Sequence, residues 1–270
     1  MNRLEREAGV HLAWAVDGEG PEVLMIQGVG VPACGWDPQV AGLSDRYRIA
    51  RYDNRGIGDS SPIAGETSVE ELAADALALL DALGWERAHV VGHSLGGVIA
   101  QQLALDAPAR VRSLSLLCTF FRGRDGARPR GRMLWVGMRT SIGTRAMRRR
   151  AFVEMIVPRS KLGEIDRDAY AREVEPVFGR DLGVRPPGVM KQLRALGRHD
   201  ASERLGALSG IPTLVVSGEE DIVAPPAQGR ALAAAIDGAR YVELEGAAHG
   251  LTITRTDELH ALLDAHFSQG

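Results

Sequence analysis

The chain has 270 residues, 45% of them hydrophobic and 25% charged, with a formal net charge of −3. This is ordinary globular composition and excludes a disordered or collagen-like chain. It leaves no overall basic footprint for nucleic acid, and no apolar run approaches the roughly 18 residues of a membrane span.

In chain order, residues 10–16 read as a strand, followed by the turn Asp17-Gly18-Glu19-Gly20. Residues 23–26 form a short apolar strand, broken by Gly28, Gly30 and Pro32. Residues 47–52 alternate as a third strand, and residues 53–62 are rich in turn formers. Thr67 or Ser68 caps a helix whose first turn carries Glu70 and Glu71, suiting the positive end of its dipole. Leu72, Ala76, Leu79, Leu80 and Leu83 continue it at helical spacing, and Gly84 stops it. A strand at 89–92, a helix at 95–105 and a strand at 111–118 follow. From about 121 to 208 the rhythm fails and only helical segments remain. Strands return at 211–217 and 241–244, with a helix at 226–236 between them, and an amphipathic helix at 257–267 closes the chain. Alternation of this kind implies an α/β fold with a mostly parallel sheet covered on both faces. The expected organisation is a core of residues 1–120 and 209–270 interrupted by a helical insertion at 121–208.

Cys34 and Cys118 are the only cysteines, too few for a disulfide framework or a four-cysteine zinc site. Residues 1–7 carry Arg3, Glu5, Arg6 and Glu7, and no signal-type apolar run follows. A reduced, cytoplasmic protein without cofactor or metal is expected.

The sharpest chemical signal is Gly92-His93-Ser94-Leu95-Gly96, a G-x-S-x-G pentapeptide at a strand-to-helix corner. The serine of such a corner takes a strained backbone, and small residues two before and two after let strand and helix approach. The bland alternative is a glycine-lined turn whose serine merely caps the helix. A serine hydroxyl needs a base to become a nucleophile. His249, in Gly246-Ala247-Ala248-His249-Gly250 after the last strand, fits best. His89 lies in a strand, His260 and His266 in the last helix, and His11 near the start. His93 adjoins the serine but should point away from it. His199 is kept as a substrate-side candidate. The base needs a carboxylate to fix its tautomer. Asp221 follows the strand at 211–217, with Glu219 and Glu220 as competitors. Two backbone N–H donors for an oxyanion are expected at Leu95 and, in Gln27-Gly28-Val29-Gly30, at Val29.

These motifs, in the chain order Ser, Asp, His, resemble those of the α/β-hydrolase superfamily. The stretch Tyr52-Asp53-Asn54-Arg55-Gly56-Ile57-Gly58-Asp59-Ser60 is similar to the family's Y-D-x-R-G-x-G-x-S loop, which gives Asp53 and Arg55 a structural reading. Within the superfamily the chain is most similar to small capped serine enzymes: haloperoxidase-like esterases and 3-oxoadipate enol-lactonases. Its departure is Gln27-Gly28 where the family usually has His-Gly. The resemblance implies a Ser-His-Asp hydrolase acting on a small-molecule ester or lactone through an acyl-enzyme. Carbon–carbon bond hydrolysis, perhydrolysis and slow-turnover ligand reception are its alternatives. No nucleic-acid partner is expected, and self-association is left open.

Residues 122–150 carry ten arginines, no lysine and a single acid, Asp125, hence +9 against −12 for the remainder of a −3 chain. Three readings compete for this run. One is a solvated segment paired with an acidic body; the others are a lure for anionic substrates and a basic surface-seeking helix. Trp135, Phe152, Met155 and Phe178 are the candidates for lining a mainly apolar substrate pocket.

Overall fold

The computed structural model describes residues 1–6, 9–127 and 131–269, with the backbone alone at 126 and 127. Eight strands form one sheet: β1 (Asn2–Glu5), β2 (His11–Asp17), β3 (Glu22–Ile26), β4 (Arg48–Tyr52), β5 (Ala88–His93), β6 (Val111–Leu117), β7 (Thr213–Gly218) and β8 (Arg240–Leu244). Their order is β1-β2-β4-β3-β5-β6-β7-β8. The β1–β2 and β2–β4 pairs are antiparallel, and the pairings from β4 through β3 to β8 are parallel. The central strands β5, β6 and β7 are almost wholly buried, as in a parallel sheet covered on both faces, and the buried polar pair His89 and Ser113 among them bond each other at 2.8 Å.

The chain steps from β4 across β3 to β5, so β3 and β5 are neighbours whose connections leave in opposite directions. A crevice opens at the carboxyl ends of strands at such a switch point, and α/β sheets bind ligands there.

The helices are α1 (Asp37–Leu43), α2 (Val69–Ala82), α3 (Leu95–Asp106), α4 (Gly123–Ala127), α5 (Gly131–Arg139), α6 (Arg145–Ile156), α7 (Arg167–Glu173), α8 (Glu175–Phe178), α9 (Val189–Arg198), α10 (Pro226–Ala234), α11 (Leu251–Thr254) and α12 (Thr256–Phe267). Ser68 caps α2, its side chain accepting from the Glu71 amide, and Gly84 just past the end has φ 67°. Strand β1 and helix α1 were not expected. The β1 residues are largely exposed and hardly apolar, so they carry no burial pattern to read.

Helices α4 to α9 lie between β6 and β7, with no strand among the described residues there, only an isolated bridge of Arg122 to Asp200. They hold a small apolar core of their own, built on Val153, Ile156, Val174, Phe178 and Leu182. Where these arginines form ion pairs, the acids lie mostly within the same segment rather than in the core. Arg139 bonds Glu154, Arg149 bonds Asp181 at 2.6 Å, and Arg150 bonds Asp168. Arg128 and Arg130 of the run lie outside the described residues. No helix among the described residues is long and apolar enough to cross a membrane.

Candidate active site

The loop after β3, the corner between β5 and α3, and the loops after β7 and β8 meet at one cavity of about 360 Å³, lined among others by Gln27, Gly28, Val29, Ser94 and His249. Ser94 has φ 54° and ψ −117°, a backbone conformation that non-glycine residues rarely adopt. It is held there by its amide, which donates to the Leu117 carbonyl at 2.9 Å, and by its carbonyl, which accepts from Thr119 Oγ1 at 2.7 Å. The flanking glycines are required by space. A Cβ on Gly92 would overlap the Gly96 carbonyl, and one on Gly96 would overlap the Ile26 carbonyl.

His249 and Asp221 meet at 2.7 Å, Nδ1 to Oδ2, with the Asp221 side chain fully buried. The other oxygen of Asp221 accepts from the amides of Val223 at 2.7 Å and Ala224 at 2.9 Å. Cys118 closes the arrangement from below. Its backbone has φ 45°, and its thiol is buried; burial first, and then the Asp221 carboxylate, push the thiol pKa well up. Glu219 and Glu220 are engaged elsewhere. Glu219 accepts from the Gly246 amide at 2.8 Å. Glu220 accepts from Ser160 Oγ at 2.6 Å, the contact that draws its pKa down.

His93 does not simply turn away. Its Nε2 donates to the His249 carbonyl at 2.9 Å, and the two rings lie 4.9 Å apart. Burial, reinforced by His249, drives its pKa down to about 3, so it is a neutral brace for the His249 loop. Ligand atoms of His93, Cys118 and His249 lie within 4.8 Å of one another, a spacing a metal would accept. The protein's own bonds engage the two histidines, His93 on the His249 carbonyl and His249 on Asp221. Three other histidines are held elsewhere: His89 by Ser113 at 2.8 Å, His11 by Ser61 at 2.7 Å, and His266 by the Leu114 carbonyl at 3.3 Å. His199 faces Glu70 at 3.3 Å and does not line the cavity.

Gln27 explains how this loop manages without the expected histidine. Its Oε1 accepts from the Gly28 amide at 3.1 Å, and its carbonyl accepts from Asn54 Nδ2 at 3.0 Å. The Gly28 N–H is thereby used up. The N–H groups of Val29 and Leu95 bond no acceptor among the described residues. One residue on, the Gly30 amide donates to Gln192 Oε1 of α9 at 3.0 Å. Neither His93 nor Gln192 is legible in the sequence as a contributor, because each acts on a partner distant in the chain, His249 and Gly30. Asp53 and Arg55 lie beside the site in supporting positions. Asp53 accepts from the amides of Ala33 and Asp59, and Arg55 bonds Asp75 at 2.6 Å.

Phe152, Met155 and Phe178 line the cavity, together with Met133 and Gly137 of α5. Trp135 is placed differently: it is 54% exposed on the outer face of α5, where the Arg139 guanidinium lies 4.2 Å over its ring. Two positions either side of it on the same helix face inward instead.

The family model described as alpha/beta hydrolase fold matches residues 23–135, and one described as TAP-like protein matches residues 194–270. The chain is 31% identical over 255 residues to the Azorhizobium caulinodans protein named "Putative carbamate hydrolase RutD", covering 93% of each chain. Among solved structures it is similar to the enol-lactonase from Burkholderia xenovorans LB400, with 29% identity, 97% and 98% coverage and a TM-score of 0.76. A hydrolase from Pseudomonas aeruginosa superposes with a TM-score of 0.83 at 28% identity, covering 98% of this chain and 97% of that one. With the strand order, the serine corner and these relatives in hand, the chain belongs to the α/β-hydrolase superfamily.

Proposed function

We propose that this hydrolase cleaves a carboxylic ester or lactone through an acyl-enzyme, with Ser94 as nucleophile, His249 as general base and acid, and Asp221 as the orienting carboxylate. The observation that carries the reading is the 2.7 Å bond to a fully buried Asp221 from Nδ1 of His249, which lines the same cavity as a serine with a strained corner backbone. Nδ1–H donated to Asp221 leaves the Nε2 lone pair free to take the Ser94 proton. The Ser94 oxygen then attacks the substrate carbonyl. The resulting oxyanion accepts from the Leu95 and Val29 N–H groups, which have no acceptor of their own among the described residues. His249 returns the proton to the leaving alcohol, then activates water to release the acid. In a lactone the leaving alcohol stays tethered to the acyl group, and the same steps open the ring.

In this reading residues 121–208 act as a cap over a core of residues 1–120 and 209–270, and Phe152, Met155 and Phe178 form the apolar part of the substrate pocket. The name of the Azorhizobium relative adds carbamates, whose carbonyl the same residues would attack. The test is a panel of short esters, lactones, carbamates and β-diketones, assayed with the wild type and Ser94→Ala. Hydrolysis of an ester or lactone that the variant loses supports the reading. Turnover confined to carbamates or to carbon–carbon bonds, or ligand binding without turnover, replaces it.

A further inference from the structure

Helix α8 ends on Gly179, whose φ of 61° turns the next residue, Arg180, into the cavity. Of the residues lining that cavity, Arg180 and Arg185 are charged, and among the described residues no carboxylate joins them. Neither arginine forms an ion pair with a described residue. The adjacent Asp181 is spent on Arg149 and on the Gly183 amide. Arg180 instead reaches carbonyl oxygens: Asp181 at 3.3 Å, Val184, and Gly30 at 3.4 Å, while its Nε is buried with no partner. Its guanidinium lies 5.9 Å from the Phe152 ring. A cation set in an apolar wall with no counter-charge is costly, and an anion brought by a ligand removes that cost.

Resting on the hydrolase reading above, we infer that the pocket is built for a substrate carrying a carboxylate besides its scissile acyl bond, and that Arg180 receives that carboxylate. A planar monoanion suits the site. The guanidinium's planar fork of N–H groups matches two carboxylate oxygens, and its Nη groups now reach only carbonyl oxygens, at 3.3 Å for Asp181 and 3.4 Å for Gly30. Arg185, the other cation of the lining, is exposed and bonds Ser141 Oγ, so in the apolar part of the wall one guanidinium balances one charge. The place of Arg180 also sets the substrate's length. It grips the carbonyl of Gly30, and Gly28, two residues earlier, packs so closely that a Cβ there would lie 3.1 Å from Ser94 Cβ. Two residues span at most about 7 Å, and less in the turn closed here by the Val31 amide on the Gly28 carbonyl, so the carboxylate and the scissile carbonyl are separated by only a few carbons. This is a different assignment from the arginine run at 122–150, whose members at 139, 149 and 150 already have acids of their own.

Monoethyl glutarate and ethyl pentanoate, matched in chain length and differing in the terminal carboxylate, test it. The wild type is expected to prefer the monoester. Arg180→Met should lower the ratio of kcat/KM values, charged over neutral, by about 10- to 100-fold, chiefly through KM, as loss of a charged hydrogen-bonded pair implies. Because the contact is inside the pocket, the drop should persist at about 0.5 M salt, where surface steering is screened. Arg180→Lys keeps the charge without the fork, should give an intermediate ratio, and serves if the methionine variant does not fold. A wild type that prefers the neutral ester, or an Arg180→Met that lowers both substrates equally, overturns the inference and leaves Arg180 a brace for Gly30. Calorimetric binding of monoethyl glutarate to Ser94→Ala, with and without Arg180→Met, needs no turnover. Binding abolished by the second substitution upholds the carboxylate site even if the hydrolase reading fails, and absent or unchanged binding refutes the site.

Discussion

Gly96 in the first turn of α3 lies against Ile26 at the end of β3 so closely that a methyl group on it would overlap the Ile26 carbonyl oxygen. The contact joins the serine corner to the strand that leads into the Gln27–Gly30 loop. Close backbone packing thus joins Ser94 to the base of the loop that carries Val29, and the side chains of Gln27, Asn54 and Gln192 hold the loop beyond it.

Gly96→Ala should therefore fold poorly. The obstacles are rigid backbone oxygens, so the cost should reach the upper end of overpacking penalties, about 3 kcal/mol. A chemical-denaturation midpoint for Gly96→Ala near that of the wild type would show that the strand and helix can move apart.

Ser94→Ala should stay folded and lose ester hydrolysis by roughly 10⁴-fold or more, the scale on which removal of a nucleophile acts. A fluorophosphonate should label Ser94 in the wild type, as read by mass spectrometry of the modified peptide. Labelling of a different serine would move the nucleophile elsewhere.

Asp221→Asn should cost on the order of 10³–10⁴ in kcat, because an amide no longer holds the His249 Nδ1–H and the ring takes the wrong tautomer. Glu219→Gln and Glu220→Gln should cost far less, since their carboxylates serve Gly246 and Ser160. Steady-state kinetics on the three variants decide between the acids.

The motif-bearing part of this arrangement is legible in the sequence, because its spacings follow from backbone constraints. Gly92, Ser94 and Gly96 mark the corner by what a Cβ would strike, and His249 and Asp221 follow the ends of strands whose apolar runs are plain. The parts that are not legible depend on contacts distant in the chain. Nothing near Gln192 announces that its side chain reaches Gly30, 162 positions away. Nothing near Cys118 announces Asp221. Trp135 shows the limit of composition within the insertion: a large aromatic on a short helix is apolar on either face, and here the stacked Arg139 covers the outward one.

Buried neutral histidines should make the fold acid-labile. Burial drives His89 down to about 4 and His93 to about 3, from an ordinary value of 6.5. Between those limits the unfolded chain takes up protons that the folded chain refuses, so stability rises with pH from about 4 to 6.5 and is lost on acidification through that window. His89→Asn should flatten the dependence of unfolding free energy on pH there by at most about 1.4 kcal/mol per pH unit. Urea unfolding between pH 4 and 7 measures it; an unchanged slope would mean that His89 is protonated in the folded state.

Arg149→Gln with Arg150→Gln should lower Tm without changing the preference between charged and neutral esters. The partner Asp181 is drawn down to about 2, chiefly by its hydrogen bond to Arg149; its contribution is present above the ordinary carboxylate range and lost as pH falls through about 2. A salt-dependent loss confined to an anionic ester would instead assign these arginines to steering.

The bond from Gln192 to the Gly30 amide means that the helical insertion and the Gln27–Gly30 loop form one mechanical unit. Any swing of α9 away from the core, whether to admit a substrate or to release a product, must first free the Gly30 N–H and slacken the segment that carries Val29. Opening and loss of catalytic geometry are then one event, and an exchanged insertion would work only if it delivered an acceptor to Gly30.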